Sequence, residues 1–148
     1  MPVSVTSSRE PEPLDLSAFE RLATFVIAQE EVPAASELSV AIVATDEMAN
    51  LNERYRGVEG PTDVLAFGCD EPCATAEGEP VMLGDVAIAP EIAQTNAEEY
   101  GTTVEAELNL LLVHGILHLL GYDHVGDEDA EVMQERERVL LATWADVG

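Results

Sequence analysis

The sequence predicts a single α+β domain. Its 148 residues are enough for one domain with its own core, and apolar residues make up 47% of them. Aromatic residues contribute only 5%, which indicates an aliphatic core. The expected elements run strand, helix, strand, helix, hairpin and then three helices, an order that does not alternate as a doubly wound sheet requires. We therefore expect one domain over residues 1–148, with residues 1–13 partly irregular.

The first part of the chain predicts two strands separated by a helix. An edge strand is expected near Val3 to Val5, before a proline-containing connection. The letters SAFE at Ser17 to Glu20 form a capping box, and the apolar residues after them repeat at helical spacing, which predicts a helix over 18–30. The β-branched run from Leu38 to Ala44 is short and favours a buried strand.

The middle of the chain predicts a short helix and a hairpin. The helix is capped at Thr45 and ends at Gly57. A strand is expected over Val64 to Phe67 and a second over 81–89, and a polar connection from Cys69 to Pro80 separates the two. The pair is typical of a hairpin with a long tip.

Three helices complete the prediction. Pro90 suits the first turn of a helix that runs to Tyr100 and ends at Gly101. A capping box at Thr102 to Glu105 precedes a helix that is apolar on nearly all sides, which indicates a central, buried position. Gly121 ends that helix. The last helix begins at Asp127, and its predicted inward face consists of Val132, Arg136, Val139, Leu140 and Trp144.

The charge of the chain is strongly negative. Thirty acidic residues face six basic ones, all of them arginine, for a formal net charge of −24. Such a surface repels the phosphates of nucleic acids. Two interpretations stay open: adaptation to a salty cytoplasm, where screening acts over about 3 Å near 1 M salt, or a protein that never meets a polyanion.

Composition also bears on location. No apolar stretch approaches the roughly 18 residues that span a membrane. The N-terminal residues lack the basic start and apolar block of a secretory signal, so we expect a cytoplasmic protein with no membrane partner. The two cysteines, Cys69 and Cys73, are too few for a disulfide scaffold. We interpret them as loop thiols, with a redox or metal site as the alternative.

All three histidines of the chain lie in the segment HGILHLLGYDH, residues 114–124. His114 and His118 are four residues apart and project from one face of a helix. Gly121 breaks that helix, so the chain can return His124 toward the same point. Three converging imidazoles with a fourth position left for water are typical of a catalytic zinc site.

The alternative is that the histidines are hydrogen-bonded core residues. Each buried polar group costs about 1 to 3 kcal/mol unless it is paired, and two stacked on a leucine-rich helix need separate partners. One metal ion satisfies all three, which favours the metal. The spacing also fits the metzincin protease signature H-E-x-x-H-x-x-G-x-x-H, but Gly115 stands where its catalytic glutamate belongs. Peptide hydrolysis by that mechanism is therefore disfavoured.

The histidine segment closely resembles the H-G-x-L-H-L-x-G-Y-D-H signature of the YbeY family, bacterial metal-dependent endoribonucleases that are also described as ribosomal RNA maturation factors. Three further segments resemble the family in the expected order: LNERYRG at 51–57, PTDVLAF at 61–67 and LGDVAIAPEIAQTNAEEYG at 83–101. Together the similarity spans roughly residues 38–140. The eleven-residue signature is highly specific, whereas each of the other segments is weak by itself.

The resemblance implies a fold, an activity and a site. The implied fold is a small mixed β-sheet packed with helices around a central metal-bearing helix, similar to the zincin-like folds. The implied activity is metal-dependent, single-strand-specific cleavage of RNA in the maturation of small-subunit (16S) ribosomal RNA and in ribosome quality control. It implies His114, His118 and His124 as ligands of one divalent ion, with zinc expected and other transition metals open. It implies catalytic roles for Arg56 and His114.

Partners follow from the same resemblance. Single-stranded or ribosomal RNA is the expected substrate, with ribosomal proteins or a GTPase assembly factor as further partners. The chain departs from the family pattern at Ala66 and Gly68, where Ser and Pro are usual, and at Val58, where lysine is frequent. The missing lysine leaves fewer cations for RNA, so we expect binding to depend on Arg54, Arg56, the metal and a protein or ribosome partner.

Three aspartates are further candidates near the site. Asp63 and Asp85 are expected to accept the second ring N–H of a ligand histidine, with turn capping or strand-end roles as the alternative. Asp123 is a base, a partner of a ligand histidine or a turn cap. Two other functions stay open: a metal-dependent hydrolase of another bond, and a non-catalytic ribosome-assembly factor with a structural metal.

Overall fold

The computed structural model describes residues 3–9, 14–32, 36–67, 82–122 and 126–147. Within these ranges the chain is an α+β domain of four strands and five helices. The elements are β1 Val3–Ser7, α1 Leu16–Gln29, β2 Glu37–Ile42, α2 Thr45–Arg56, β3 Val64–Phe67, β4 Met82–Ile88, α3 Pro90–Tyr100, α4 Val104–Leu119 and α5 Asp127–Val147.

The strands form one mixed sheet in the order β1-β2-β4-β3. β1 and β2 are parallel, and so are β2 and β4. β3 and β4 form the expected antiparallel hairpin pair, with Val64 opposite Ile88 and Phe67 opposite Asp85. β3 is therefore an edge strand, and one side of its backbone has no neighbouring strand among the described residues.

Apolar residues cover both faces of the sheet because successive strand side chains point to opposite sides. Val86 and Ile88 belong to the larger core cluster, which α1, α4 and α5 complete. Ala87 lies between them and belongs to a smaller cluster with Met48 of α2. The sheet is thus covered by α4 on one face and by α2 on the other.

Helix α4 is the central element. It contacts α1, α3, α5, β3 and β4, as its apolar sequence on all sides predicts. Gly115 brings it close to the sheet, because a Cβ atom at this position would lie 2.8 Å from Val86 Cγ1 and 3.5 Å from Val64 Cγ2. No side chain fits between α4 and β4 at this level without a shift.

The two ends of α4 are fixed by local hydrogen bonds. The Thr103 hydroxyl accepts from the Ala106 N–H at 3.1 Å, so the cap lies one residue after the predicted Thr102. At the other end the Tyr122 N–H donates to Leu117 O and the Gly121 N–H to His118 O, the Schellman pattern. Gly121 has φ +103°, a conformation that favours glycine, and the chain reverses there as predicted.

Several predicted boundaries were wrong by one or two residues. α1 begins at Leu16 because Asp15 accepts from the Ser17 N–H at 3.0 Å, so the cap is Asp15 and not Ser17. β1 continues beyond Val5 to Ser7 through parallel pairing with β2. β2 covers Glu37–Ile42 and stops short of the predicted Ala44. At α2 the cap is Ala44, which has no side-chain bond, and Thr45 is the first helical residue.

The predicted inward face of α5 was partly wrong. Val132 and Val139 are exposed at 60% and 38%, whereas Met133 and Leu140 are buried. The buried stripe runs through Met133, Glu137 and Leu140, which follow one another at helical spacing. A buried glutamate on this stripe resembles a surface acid in a sequence with so many acids, and for this reason the pattern was misread.

The remaining element predictions were confirmed. α2 ends at Gly57 and α3 at Gly101, both with positive φ, and Pro90 opens α3. Among the described helices, none combines the length and the apolar character needed to cross a membrane. The predicted irregular segment 10–13 and the connection from Cys69 to Pro80, with both cysteines, lie outside the described residues.

Candidate active site at the edge of the sheet

A cavity of about 290 Å³ lies where the edge strand β3 meets α2 and α4. Residues from both faces of β3 line it, so it opens at the edge of the sheet. Its lining consists of Arg56, Thr62, Asp63, Val64, Leu65, Ala66, His114, Gly115 and His118. The cavity therefore brings together Arg56, His114 and His118, three residues that the sequence predicted for one site.

His114 and His118 lie one turn apart on α4, and both reach the cavity. The side chain of His114 is 32% exposed, and that of Glu137 on α5 is 8% exposed. Nδ1 of His114 lies 2.9 Å from Oε2 of Glu137. When the ring of His114 is neutral and its proton is on Nδ1, the Nδ1–H donates a hydrogen bond to this carboxylate and Nε2 carries the lone pair that can bind a metal.

The carboxylates around His114 favour a positive charge on its imidazole ring. The hydrogen bond to Glu137 raises the pKa of His114 above its ordinary value, and the nearby charges of Glu137 and Asp63 act in the same direction. Burial opposes these effects. The field that stabilises a protonated imidazole also stabilises a cation next to a neutral imidazole.

A second cavity of about 530 Å³ adjoins the first one on the other side of His114. Glu107, Asp63 and Glu137 line it, and Asn96 donates to Asp63 Oδ2 at 3.1 Å. Burial and the charge of Asp63 raise the pKa of Glu107, while a hydrogen bond from Asn96 lowers it. Negative potential is thus concentrated behind His114.

Arg56 is placed by the end of α2 and by the turn that follows it. Gly57 has φ +69° and terminates the helix. The buried Asn52 then holds the turn, because its Nδ2 donates to Gly60 O at 2.8 Å. Asp63 ends the connection, where its carbonyl accepts from the Ala89 N–H at 2.9 Å. This turn brings Thr62 and Asp63 to the same cavity as Arg56.

Arg54 and Arg56 have no ion-pair partner among the described residues, which distinguishes them from other arginines of the chain. Arg21, Arg136 and Arg138 each form an ion pair with a carboxylate. Both arginines lie in the last turn of α2, where positive charge is favourable to the helix dipole. Of the two, Arg56 lines the cavity, so its charge is available to a ligand there.

The other predicted site residues lie partly at the cavity and partly elsewhere. His124 and Asp123 lie outside the described residues. Asp63 lines the cavity and bonds to Asn96, whereas Asp85 is exposed on β4 and lines neither cavity. The sequence missed Glu137, which makes the hydrogen bond to His114 that was expected of an aspartate. Its one sequence signal is an acid at helical spacing between Met133 and Leu140.

The donor set that is described fits part of a zinc site. Within the described ranges no group of three His, Cys, Asp or Glu side chains is arranged to hold a metal ion. Two imidazoles on adjacent turns, one of them hydrogen-bonded through Nδ1 to a carboxylate, are nevertheless the ligand type and support that zinc prefers. Thus His114 and His118 suit such an ion, and the third predicted ligand falls in the segment 123–125.

The chain is similar to proteins of known family. The family model described as Endoribonuclease YbeY matches residues 5–145. A relative named Endoribonuclease YbeY from Frankia alni is 41% identical, covering 97% of this chain and 83% of its own. A relative of the same name from Salinispora tropica is 42% identical, covering 88% of each chain.

One solved structure extends this similarity to the fold. The solution structure of TM1509 from Thermotoga maritima matches with a TM-score of 0.64 and 28% identity, covering 97% of this chain and 92% of that one. Since the family model and the relatives cover nearly the whole chain, the protein belongs to the YbeY family of endoribonucleases.

Proposed function

We propose that this chain is a metal-dependent, single-strand-specific endoribonuclease that acts in the maturation of 16S ribosomal RNA. The observation that carries the proposal is the cavity shared by Arg56, His114 and His118. An unpaired guanidinium next to two imidazoles combines a phosphate-binding group with ligands for a divalent cation. The name of the related proteins supports RNA as the substrate.

In this proposal His114, His118 and His124 hold one divalent ion, most simply zinc. Such an ion supplies Lewis-acid polarisation of a phosphoryl oxygen and lowers the pKa of water. Glu137 fixes the ring of His114 through Nδ1. Arg56 binds the phosphate with its planar guanidinium and stabilises the negative charge that develops on the phosphate oxygens.

The narrow cavity suits a single strand. It opens at the edge of the sheet, where Arg56 of α2 and the histidines of α4 lie on either side of β3. A flexible single strand can bend to bring one backbone phosphate into this cavity, whereas a stiff duplex cannot bend in this way.

The proposed partner follows from the charge of the chain, and the proposed location follows from the substrate. With a net charge of −24, the protein repels RNA over long distances, and Arg56 attracts a phosphate only once the RNA reaches the cavity. A ribosomal protein or a GTPase assembly factor is the proposed partner that brings substrate and enzyme together. Because ribosomal RNA is the proposed substrate, the proposal places the enzyme in the cytoplasm.

Gly115 argues against the peptidase alternative. It occupies the position of the metzincin glutamate, and the sheet fills the space that a side chain there would need. A general base at this place is therefore excluded by the packing of α4 against β4. Hydrolysis of another bond with a different base remains the second candidate, and a non-catalytic assembly factor is the third.

The test is cleavage of labelled single-stranded RNA by purified protein. We expect chelation to abolish cleavage, zinc to restore it, and His114→Ala and His118→Ala to lower the rate by more than about 100-fold. Val132→Ala, an exposed change on α5, is purified in parallel and is expected to keep its activity, while the inactive histidine variants control for contaminating ribonuclease.

Three results would contradict the proposal. Cleavage that survives complete removal of metal, or that persists in His114→Ala, rules out the metal-dependent reaction. Hydrolysis of casein instead of RNA supports the second candidate. Tight binding of RNA without any cleavage in the metal-loaded protein supports the third.

A further inference from the structure

Tyr55 is an exposed aromatic residue on α2, next in sequence to Arg56 of the candidate site. It lies in the last turn of α2, and 59% of its surface is accessible. Its ring packs on Phe67 of β3 with centroids 4.7 Å apart and an angle of 51° between the planes. The contact with Phe67 holds the tyrosine ring in one orientation and leaves most of it open to solvent.

Residues close to each member of this aromatic pair line the cavity. Arg56 follows Tyr55 on α2 and lines the cavity, and so does Leu65, which lies on the same face of β3 as Phe67. Tyr55 therefore directly precedes the proposed phosphate-binding arginine in the helix, and its ring packs on the face of β3 that contributes Leu65 to the cavity. An RNA strand with a phosphate at Arg56 has an adjacent nucleotide within reach of Tyr55.

The charges around the ring favour a polyanion. Arg54 and Arg56 flank Tyr55 along the helix, and neither has an ion-pair partner in the described part of the chain. In a protein with 30 acidic residues, Arg56 thus offers an unpaired cation at the cavity, directly after an exposed aromatic residue in the helix. Single-stranded nucleic acids are bound by this combination of stacking surface and cations.

We propose that Tyr55 is a stacking platform for one base of the single-stranded RNA, next to the nucleotide whose phosphate Arg56 binds. This inference rests on the proposed RNA substrate and adds a contact with a base that the metal site cannot make. Stacking requires an unpaired base, so the platform also gives a physical reason for preferring single strands over duplexes.

The test is binding of a short labelled single-stranded RNA to metal-loaded protein, measured by fluorescence anisotropy while a gel shows the RNA intact. The same RNA with abasic positions serves as a second probe. We expect Tyr55→Leu to weaken binding of the normal RNA by about 5- to 150-fold. Tyr55→Phe keeps the ring and is expected to bind normally, and the abasic RNA is expected not to distinguish the variants.

The matched control is a second aromatic pair of similar geometry. Phe25 and Trp144 lie 5.1 Å apart at 52°, on helices α1 and α5. Phe25→Leu removes a ring in the same way and is expected to leave RNA binding unchanged.

Three outcomes of the binding test overturn the stacking role. If Tyr55→Leu and the unchanged protein bind the normal RNA with equal affinity, Tyr55 does not stack on a base. Equal weakening for normal and abasic RNA assigns the effect to phosphate contacts, and a loss in Tyr55→Phe assigns it to the hydroxyl. If the protein binds RNA through Tyr55 but does not cut it, the proposed nuclease function fails and the platform stands. If cutting is normal in Tyr55→Leu at every RNA concentration, the platform fails and the nuclease function stands.

Discussion

Glu137 is buried, with 6% of the residue exposed, and the partner of its carboxylate is a histidine of the candidate metal site. A buried carboxylate is costly unless it is hydrogen-bonded or paired, and here His114 supplies the hydrogen bond. The bond also selects the tautomer of His114 that presents Nε2 to the cavity. Glu137 therefore acts on the site through the orientation of a ligand.

We predict that Glu137→Gln lowers the affinity for zinc by about 10- to 100-fold, because an amide orients the imidazole less well and does not raise its basicity. Calorimetric titration with a competing chelator measures the change. Glu107→Gln is the matched control, since it removes another buried carboxylate near His114 without touching the ring nitrogen. If both variants lose affinity equally, net charge and not orientation is responsible.

The sequence predicted the two helical histidines and Arg56 but not Glu137. Spacing along one helix places His114 and His118 on one face, so local pattern was sufficient. Glu137 comes from another helix, 23 positions further along the chain, and its partner is decided by how α5 packs on α4. In a chain with 30 acids a single buried one has no distinctive composition, so only the tertiary structure identifies it.

At the scale of elements, the types and order of helices and strands followed from periodicity, while their ends depended on competing caps. Asp15 and Ser17 are both good cap residues, and the hydrogen bond to the Ser17 N–H settled the choice in favour of Asp15. Thr102 and Thr103 presented the same ambiguity. The added length of β1 comes from pairing with β2, which is information that a single strand does not contain.

The contact of α4 with the sheet yields a second prediction. Gly115→Ala gains about 1 kcal/mol of helix propensity, but its Cβ would meet Val86 Cγ1 at 2.8 Å, and valine is stiff at χ1. Overpacking of about 1 to 3 kcal/mol outweighs the gain, so we expect a lower free energy of unfolding in urea.

The compensating change separates the clash from other effects. Val86→Ala removes the two methyl carbons that Gly115→Ala would meet. In that background we expect Gly115→Ala to be neutral or stabilising, because the propensity gain remains and the clash is gone. A loss of the same size in both backgrounds would show that the packing of α4 on β4 is not the cause.

For the whole molecule, the net charge of −24 opposes compaction and RNA binding at once. The described ion pairs involve few of the 30 acids, so most of the repulsion is screened only by dissolved ions. Salt acts on the two processes in opposite directions: it weakens the repulsion within the folded chain, and it weakens the attraction of Arg54 and Arg56 for phosphate. Stability and substrate binding therefore have different salt dependences.

We predict that the urea midpoint of unfolding rises with sodium chloride between about 0.1 M and 1 M, as the screening length falls from about 10 Å to about 3 Å. The single tryptophan, Trp144, packs on Phe25, and its fluorescence reports unfolding. Over the same range RNA affinity is expected to fall, with a slope of about −0.7 per phosphate contact on logarithmic axes. Sucrose at equal osmolality is the control for the urea midpoint. It stabilises proteins by exclusion from their surface and leaves the charge repulsion in place. A urea midpoint that stays constant or falls with salt would mean that the acidic surface does not destabilise the fold, since a protein limited by self-repulsion has to gain stability when that repulsion is screened.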